Sequence, residues 1–234
     1  MNLRPEADPS TAAKPSAAAP SPAAAHTPAA APAAASRPRD VLRQQLRARR
    51  RELGAGQRAA AALLITRHIN GTRWLRGARP IGLYVSVGFE VSTDVLRALA
   101  RQRRCPVYLP RITDYRRRTM LFARDRDELS LHNRYGIPEP PIIEAVPART
   151  LSVVFVPLLG FDGEGTRLGS GAGYYDRVFA FRRRRQSWHR PLLIGLAYRC
   201  QRVDHIGLAR HDVPLDAVVT EDGVQYFATP GPAP

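Results

Sequence analysis

An α/β sheet, largely parallel and covered on both faces, is the fold that this sequence predicts. Two patterns predict it. Short apolar runs bounded by turn residues recur along the chain, and stretches of helical periodicity separate them. A third observation fits the same architecture: a glycine-rich segment follows the clearest apolar run directly. In open α/β sheets, loops at the carboxyl ends of the strands hold the ligands.

The elements follow in order. Residues 1–38 are mostly Ala, Pro and Ser, too poor in apolar surface to offset the entropy of ordering, so a disordered tail is expected there. From Val41 to about Ile69 the pattern is helical. Val41, Leu42, Leu46 and Leu53 share one face, with arginines opposite, and Gly54-Ala55-Gly56 divides the stretch, so a second helix starts near Gln57. Gly71 and Gly77–Pro80 end that unit. Ile81–Val87 reads as a buried strand. Ser92-Thr93-Asp94 is a helix start, with Asp94 at the positive end, and the helix runs to about Arg103. Val107–Pro110 and Thr119–Ala123 are strands, the second nearer an edge. Leu151–Pro157 is the clearest buried strand. After the glycine-rich loop a helix runs from about Tyr174 to Arg184, and Leu192–Ala197 and Ala217–Thr220 complete the strands. The domain boundaries are therefore a tail at 1–38, one folded domain at 39–228 and a flexible end at 229–234.

Composition narrows the function classes. No apolar run reaches the roughly 18 residues of a membrane-spanning helix, and the N-terminus lacks a signal-peptide pattern, so no membrane role and a cytoplasmic location are expected. Cys105 and Cys200 have no CxxC partner and read as structural thiols. The net charge of +16 points to a polyanion. Of the 36 basic residues, however, only Lys14 is lysine. The arginine excess beside the Ala/Pro excess reads as the bias of a GC-rich genome, and no nucleic-acid reader motif accompanies it. A basic nucleic-acid-associated protein stays the less favoured alternative.

The chemistry is concentrated in Gly160–Asp176. Glycines 160, 163, 165, 169, 171 and 173 let the backbone turn and approach a ligand closely. Strand, glycines, then helix start is an arrangement that offers N–H groups to an anion. Arg167 adds a charge suited to phosphate, and Asp176 could hold a nucleotide-bound Mg²⁺. The bland alternative is a loop whose glycines merely turn corners. It is neither a Walker A loop nor a dinucleotide fingerprint.

Gly160-Phe161-Asp162, followed by Arg167-Leu-Gly-x-Gly-x-Gly-Tyr-Tyr-Asp176, resembles the signature of the 5-formyltetrahydrofolate cyclo-ligase family. Leu42-Arg43, Glu90, Tyr135–Pro140 and His211–Asp216 match in the family's order, so the resemblance spans about residues 39–223. It implies a three-layer Rossmann-like sheet and an ATP-dependent closure of 5-formyltetrahydrofolate to 5,10-methenyltetrahydrofolate through an iminium phosphate. The same resemblance assigns site residues. ATP would meet Arg39, Arg43, Arg167, Gly169, Gly171, Gly173, Tyr174 and Tyr175, with Arg167 and Tyr175 at the reacting centre. The folate would meet Val85, Glu90, Ser170, Ala172 and Tyr174, with Tyr135 and Pro138 on its wall. Asp176 and Asp212 would lie near Mg²⁺.

Two departures stand out. Arg39 replaces the family's usual lysine. Ser170 and Ala172 stand where many members carry Arg and Lys, which keeps a binding-only homologue as a second alternative. His205 and His211 have no further His or Cys nearby in sequence, so no transition-metal site is expected. The oligomeric state is left open.

Overall fold

The computed structural model describes residues 38–126, 129, 131–184 and 190–227. Of the tail expected at 1–38, residues 1–37 lie outside the described residues, as does the end expected at 229–234. Residue 38 is described, and it is helical.

Helix α1 spans Pro38–Glu52, with proline in its first turn and Asp40 at its positive end. Helix α2 spans Ala55–Asn70. Its start is capped by Gln57, whose side chain accepts the Gly54 N–H at 2.8 Å. The Gly54 break is therefore where the sequence put it. The strands are β1 (Ile81–Gly82), β2 (Val107–Asp114), β3 (Thr119–Arg124), β4 (Leu131–His132), β5 (Pro138–Glu139), β6 (Ala145–Val146) and β7 (Val153–Pro157). They continue with β8 (Gly160–Phe161), β9 (Arg167–Leu168), β10 (Leu192–Leu196), β11 (Ala217–Thr220) and β12 (Gly223–Tyr226). Helix α3 is Asp94–Gln102 and α4 is Tyr174–Val178.

Eight strands form the main sheet in the order β12-β11-β10-β7-β1-β2-β3-β6. The four central pairings, β11-β10, β10-β7, β7-β1 and β1-β2, are parallel, and the flanks are antiparallel. Strands buried on both faces need continuous apolar runs, and β7 and β11 supply them. Val153, Val154, Phe155 and Val156 are all buried, as are Ala217, Val218 and Val219. One face packs under α2 and α3 with Ile65, Ile69, Leu96 and Phe155. The other packs under α4 with Phe122, Phe179 and Val218. This is the expected three-layer α/β sandwich.

Two elements are much shorter than expected, while β7 and β10 lose only one or two residues at an end. β1 covers Ile81–Gly82 rather than Ile81–Val87, although the Leu83 N–H still donates to the Tyr108 carbonyl at 2.9 Å. The released segment leaves the sheet and carries Val85 to Glu90 upward as a loop. The helix expected over Tyr174–Arg184 is a five-residue α4 followed by a 3-10 turn at Ala180–Arg184. Phe179 is fully buried against Phe122, and Arg182 is held by both oxygens of Asp216, so the chain tightens between them.

Topology fixes where a ligand sits. From β1 the chain crosses through α3 to β2 on one side. From β7 it crosses to β10 on the other side. The crevice beyond the carboxyl ends of β1 and β7 is thus the switch point of the sheet, where open α/β folds bind ligands.

Candidate functional site

Two cavities open at that switch point. The first, of about 380 Å³, is walled by Val85, Pro110, Ile112, Met120, Tyr135, Pro138, Leu158, Tyr174 and Tyr175, with Glu90 and Arg50 at its polar end. The second, of about 490 Å³, is lined by Arg39, Arg43, Arg118, Arg177, Arg183, His211 and Asp212. Arg167, Gly169, Gly173 and Asp176 border both. One loop therefore separates an apolar, aromatic chamber from an arginine-lined one.

That loop is shaped by its glycines. Gly171 sits at φ 109° and Gly173 at φ 71°, the latter as the N-cap of α4. A side chain at either position would be strained, so glycine is required for the turn. Beneath it, Asp162 is fully buried. Its carboxylate accepts the N–H groups of Glu164, Thr166 and Ile206 and holds the hairpin β8-β9 in place.

Helix α1 delivers charge to the loop. Leu46 is fully buried among Leu159, Leu168 and Ile206, which seats the helix. Arg39, Arg43, Arg47 and Arg50 follow at helical spacing along a stripe beside the leucines, not opposite them as expected. Arg43 Nε donates to the Gly169 carbonyl at 3.1 Å, and Arg47 donates to the Ser170 carbonyl at 3.3 Å. Arg39 pairs with Asp212 at 2.6 Å.

Arg167 is less available than expected. It is 6% exposed, pairs with Asp176 at 2.6 Å and donates to the Val213 carbonyl. Burial pulls its pKa down, while Asp176 and Asp212 hold it up. Its charge is locked in the partition between the cavities. Asp176 Oδ1 takes both Arg167 and the Val213 N–H, and Asp212 Oδ2 takes Arg39 and the Ala209 N–H. Among the described residues, the other oxygen of each carboxylate carries no such bond. Two uncommitted carboxylate oxygens on one cavity suit a hard, oxygen-seeking divalent cation.

Glu90 is pushed above the usual carboxylate range by burial, against the opposing pull of the Val87 N–H and of Arg50. The Val87 N–H donates to its Oε2 at 3.0 Å. Tyr175 stacks on Phe179, and burial raises its pKa well beyond the ordinary tyrosine value, so its phenol stays protonated. Tyr174 is pushed up to about 12 by burial and by the neighbouring Tyr135.

Every residue expected from the sequence reaches one of the two cavities. Val85, Glu90, Ser170, Ala172 and Tyr174 border the first, and Arg39, Arg43, Gly171 and Asp212 border the second. Arg47, Arg50, Arg118, Arg177 and Arg183 line the cavities and are not among the expected residues. Arg50 was visible as an arginine inside the Leu46–Leu53 seam. Arg118 had no sequence signal, because the hairpin β2-β3 brings it to the loop from about fifty residues away. Asp216 receives the Leu193 N–H and Arg182 and organises the entry to β11. His205 lies near Asp162 and Glu164, their donor atoms within 4.8 Å of one another. The Asp162 carboxylate is already consumed by backbone N–H groups there. Cys105 and Cys200 are free thiols with pKa values raised by burial, away from both cavities.

The chain is similar to known proteins over most of its length. It is 34% identical to the 5-formyltetrahydrofolate cyclo-ligase of Haemophilus influenzae over 182 residues, which is 76% of this chain and 94% of the relative. It is 29% identical to the mouse 5-formyltetrahydrofolate cyclo-ligase, over 77% of this chain and 92% of the relative. Among solved structures, the Aquifex aeolicus 5,10-methenyltetrahydrofolate synthetase has the same fold, with a TM-score of 0.69 at 24% identity. The match covers 84% of this chain and 96% of the other. The Mycoplasma pneumoniae 5,10-methenyltetrahydrofolate synthetase matches at 0.62 and 21% identity, over 79% and 99%. The profile of the 5-formyltetrahydrofolate cyclo-ligase family matches residues 35–221. With the signature loop dividing two cavities at the sheet's switch point, the chain belongs to the 5-formyltetrahydrofolate cyclo-ligase family.

Proposed function

We propose that this protein closes 5-formyltetrahydrofolate to 5,10-methenyltetrahydrofolate with consumption of ATP. The observation that carries the reading is the shared partition. A reaction between a folate and a triphosphate needs an apolar slot and a cationic slot whose reacting ends meet, and residues 167–176 border both. The folate ring lies in the first cavity between Tyr174, Tyr175, Val85 and Met120. Glu90 accepts the N–H groups of the amino-pyrimidine edge. The triphosphate lies in the second cavity, against Arg39, Arg43, Arg118 and the loop's backbone.

The formyl oxygen attacks the γ-phosphorus and ADP departs. N10 then adds to the formyl carbon, loses its proton, and phosphate leaves with the C–O bond electrons. Such a path asks little acid-base chemistry of the protein. It asks for alignment, charge stabilisation and exclusion of water. Arg167, fixed by Asp176 and Val213, holds positive charge at the crossing point without having to move. Asp176 and Asp212 would hold Mg²⁺, which would neutralise charge on the nucleotide.

Ser170 and Ala172 favour one competing reading, a homologue that binds without turnover. Purified protein, 5-formyltetrahydrofolate and MgATP, followed by absorbance of the methenyl product, separates the two. Product formation is the expected result. A folded protein that binds both ligands and yields none would establish the competing reading.

A further inference from the structure

Arg50 is a charge in an unusual setting. It is 9% exposed, borders the first cavity beside Glu90, and its Nε–H is sealed without an acceptor. Among the described residues, no hydrogen bond or close ion pair takes up its guanidinium. Burial pulls its pKa down, and the field of Glu90 first, then those of Tyr84 and Tyr198, oppose this without a direct contact. The first cavity's other arginines are satisfied differently: Arg47 reaches Ser170 and Arg167 reaches Asp176. A mostly buried guanidinium with its Nε–H sealed and no acceptor on any nitrogen is costly, and a well-packed apolar side chain would be cheaper at this position of α1. The cost is recovered when an acceptor enters the cavity.

Given the folate reading above, on which this inference rests, the chemistry of that acceptor is defined. A carboxylate such as Glu90 takes the exocyclic amino and ring N–H donors of an aminopyrimidinone. The next atom along that edge is the ring carbonyl oxygen, an acceptor that Glu90 cannot serve. We infer that Arg50 donates to this 4-oxo oxygen, so that Glu90 and Arg50 together read the donor-donor-acceptor edge of the ring. Arg50 is then a specificity-determining residue. It favours 4-oxo folates and rejects 4-amino analogues, whose amino group would present donors to a donor. Sites built around a hydrogen bond discriminate strongly in this way, because the mismatched ligand leaves buried groups unpaired.

The test compares wild type with Arg50→Met, which keeps length and apolar contact but removes the donors. Affinity for 5-formyltetrahydrofolate and for its 4-amino analogue is measured by calorimetry, with turnover and Tm recorded alongside. Arg50→Met is expected to keep or raise Tm and to leave the KM for MgATP unchanged. It should weaken the 4-oxo ligand roughly 10–100-fold while the 4-amino ligand is little affected or gains. Unchanged affinity for the 4-oxo ligand overturns the inference. Equal weakening of both ligands also overturns it, since that is the outcome if Arg50 only positions Glu90. Should Arg50→Met fail to fold, Arg50→Lys takes its place. That variant keeps the charge but not the planar donor fork, and an unaltered 4-oxo to 4-amino preference in it sinks the inference. Wild type that prefers the 4-oxo ligand, with the preference lost in Arg50→Met, but that forms no methenyl product defeats the reaction proposed above while upholding this inference. Wild type that binds neither ligand defeats both.

Discussion

Glu90 is the residue whose environment and proposed task are most directly connected. Its pKa is raised by burial, so the folded protein favours the protonated form relative to the unfolded chain. Folding therefore becomes less favourable as pH rises from the unfolded pKa through the folded one, and at neutral pH the ionised group is a net cost. Glu90→Gln should raise Tm at pH 7, and the gain should fade on acidification toward the ordinary carboxylate range. The same substitution should raise the KM for the folate at least tenfold, with the KM for MgATP unchanged. Thermal melts across pH and steady-state kinetics check the two halves, and an unchanged folate KM would remove Glu90 from the site.

Arg118 gives the opposite test. It is exposed, stands at φ 54° in the β2-β3 turn, and lines the arginine-rich cavity. Its Nη1 lies 3.9 Å from the point a side chain at Gly173 would occupy. Ser170 and Ala172 bring no charge, and in the proposed function Arg118 would serve the nucleotide from across the crevice. Arg118→Ala should leave Tm unchanged and raise the KM for MgATP several-fold, with the folate KM held. A Tm loss without a kinetic effect would make it a turn residue only.

At the scale of elements, α1 joins fold to function. Leu46 is fully buried under the signature loop, and the arginine stripe stands beside it. Leu46→Ala should destabilise by about 2–5 kcal/mol, the usual loss for a core leucine, and in the folded fraction should raise the KM for both substrates together. A second element depends on one carboxylate. Asp125, at the end of β3, is fully buried at its side chain and receives Arg97 and Arg101 from α3. Burial alone would push its pKa up, but the two arginines outweigh this and hold it below the ordinary value. The stability it provides is present above the unfolded pKa and is lost as pH falls through the folded one. Asp125→Asn should cost roughly 2–3 kcal/mol at pH 7, below the full loss of a buried pair because both arginines are partly exposed. Denaturant unfolding at pH 7 and at acid pH measures it, and the deficit should shrink at the lower pH.

For the molecule as a whole, residues 36–234 form a unit of their own, and both cavities belong to it. Pro38, the last residue of the expected tail, already lies in α1. Deleting residues 1–35 should leave Tm and turnover within error of the full chain, given the tail's Ala/Pro composition. A marked drop in either would show that the tail contributes to the fold or the site. Among the described residues, no helix is long and apolar enough to cross a membrane.

The sequence by itself determined the order of the main helices and of the six strands β1, β2, β3, β7, β10 and β11, the break at Gly54, the parallel buried core and the loop at 160–176; the short strands β4, β5, β6, β8, β9 and β12 carried no such signal. These are local properties: apolar periodicity, glycine placement and a long signature are written in neighbouring residues. It also named both walls of the site in part, through Glu90, Arg39, Arg43 and Asp212. Tertiary structure alone decided how those groups are used. It ended β1 after two residues, and it shortened α4, where the burial of Phe179 and the Arg182–Asp216 pair act over long separations. It locked Arg167 against Asp176, turned the arginine stripe of α1 toward the loop, and left Arg50 buried beside Glu90 without an acceptor. Charge and burial depend on what a residue meets across the fold, and for Arg50 and Arg118 those neighbours are 40 to 55 residues away along the chain.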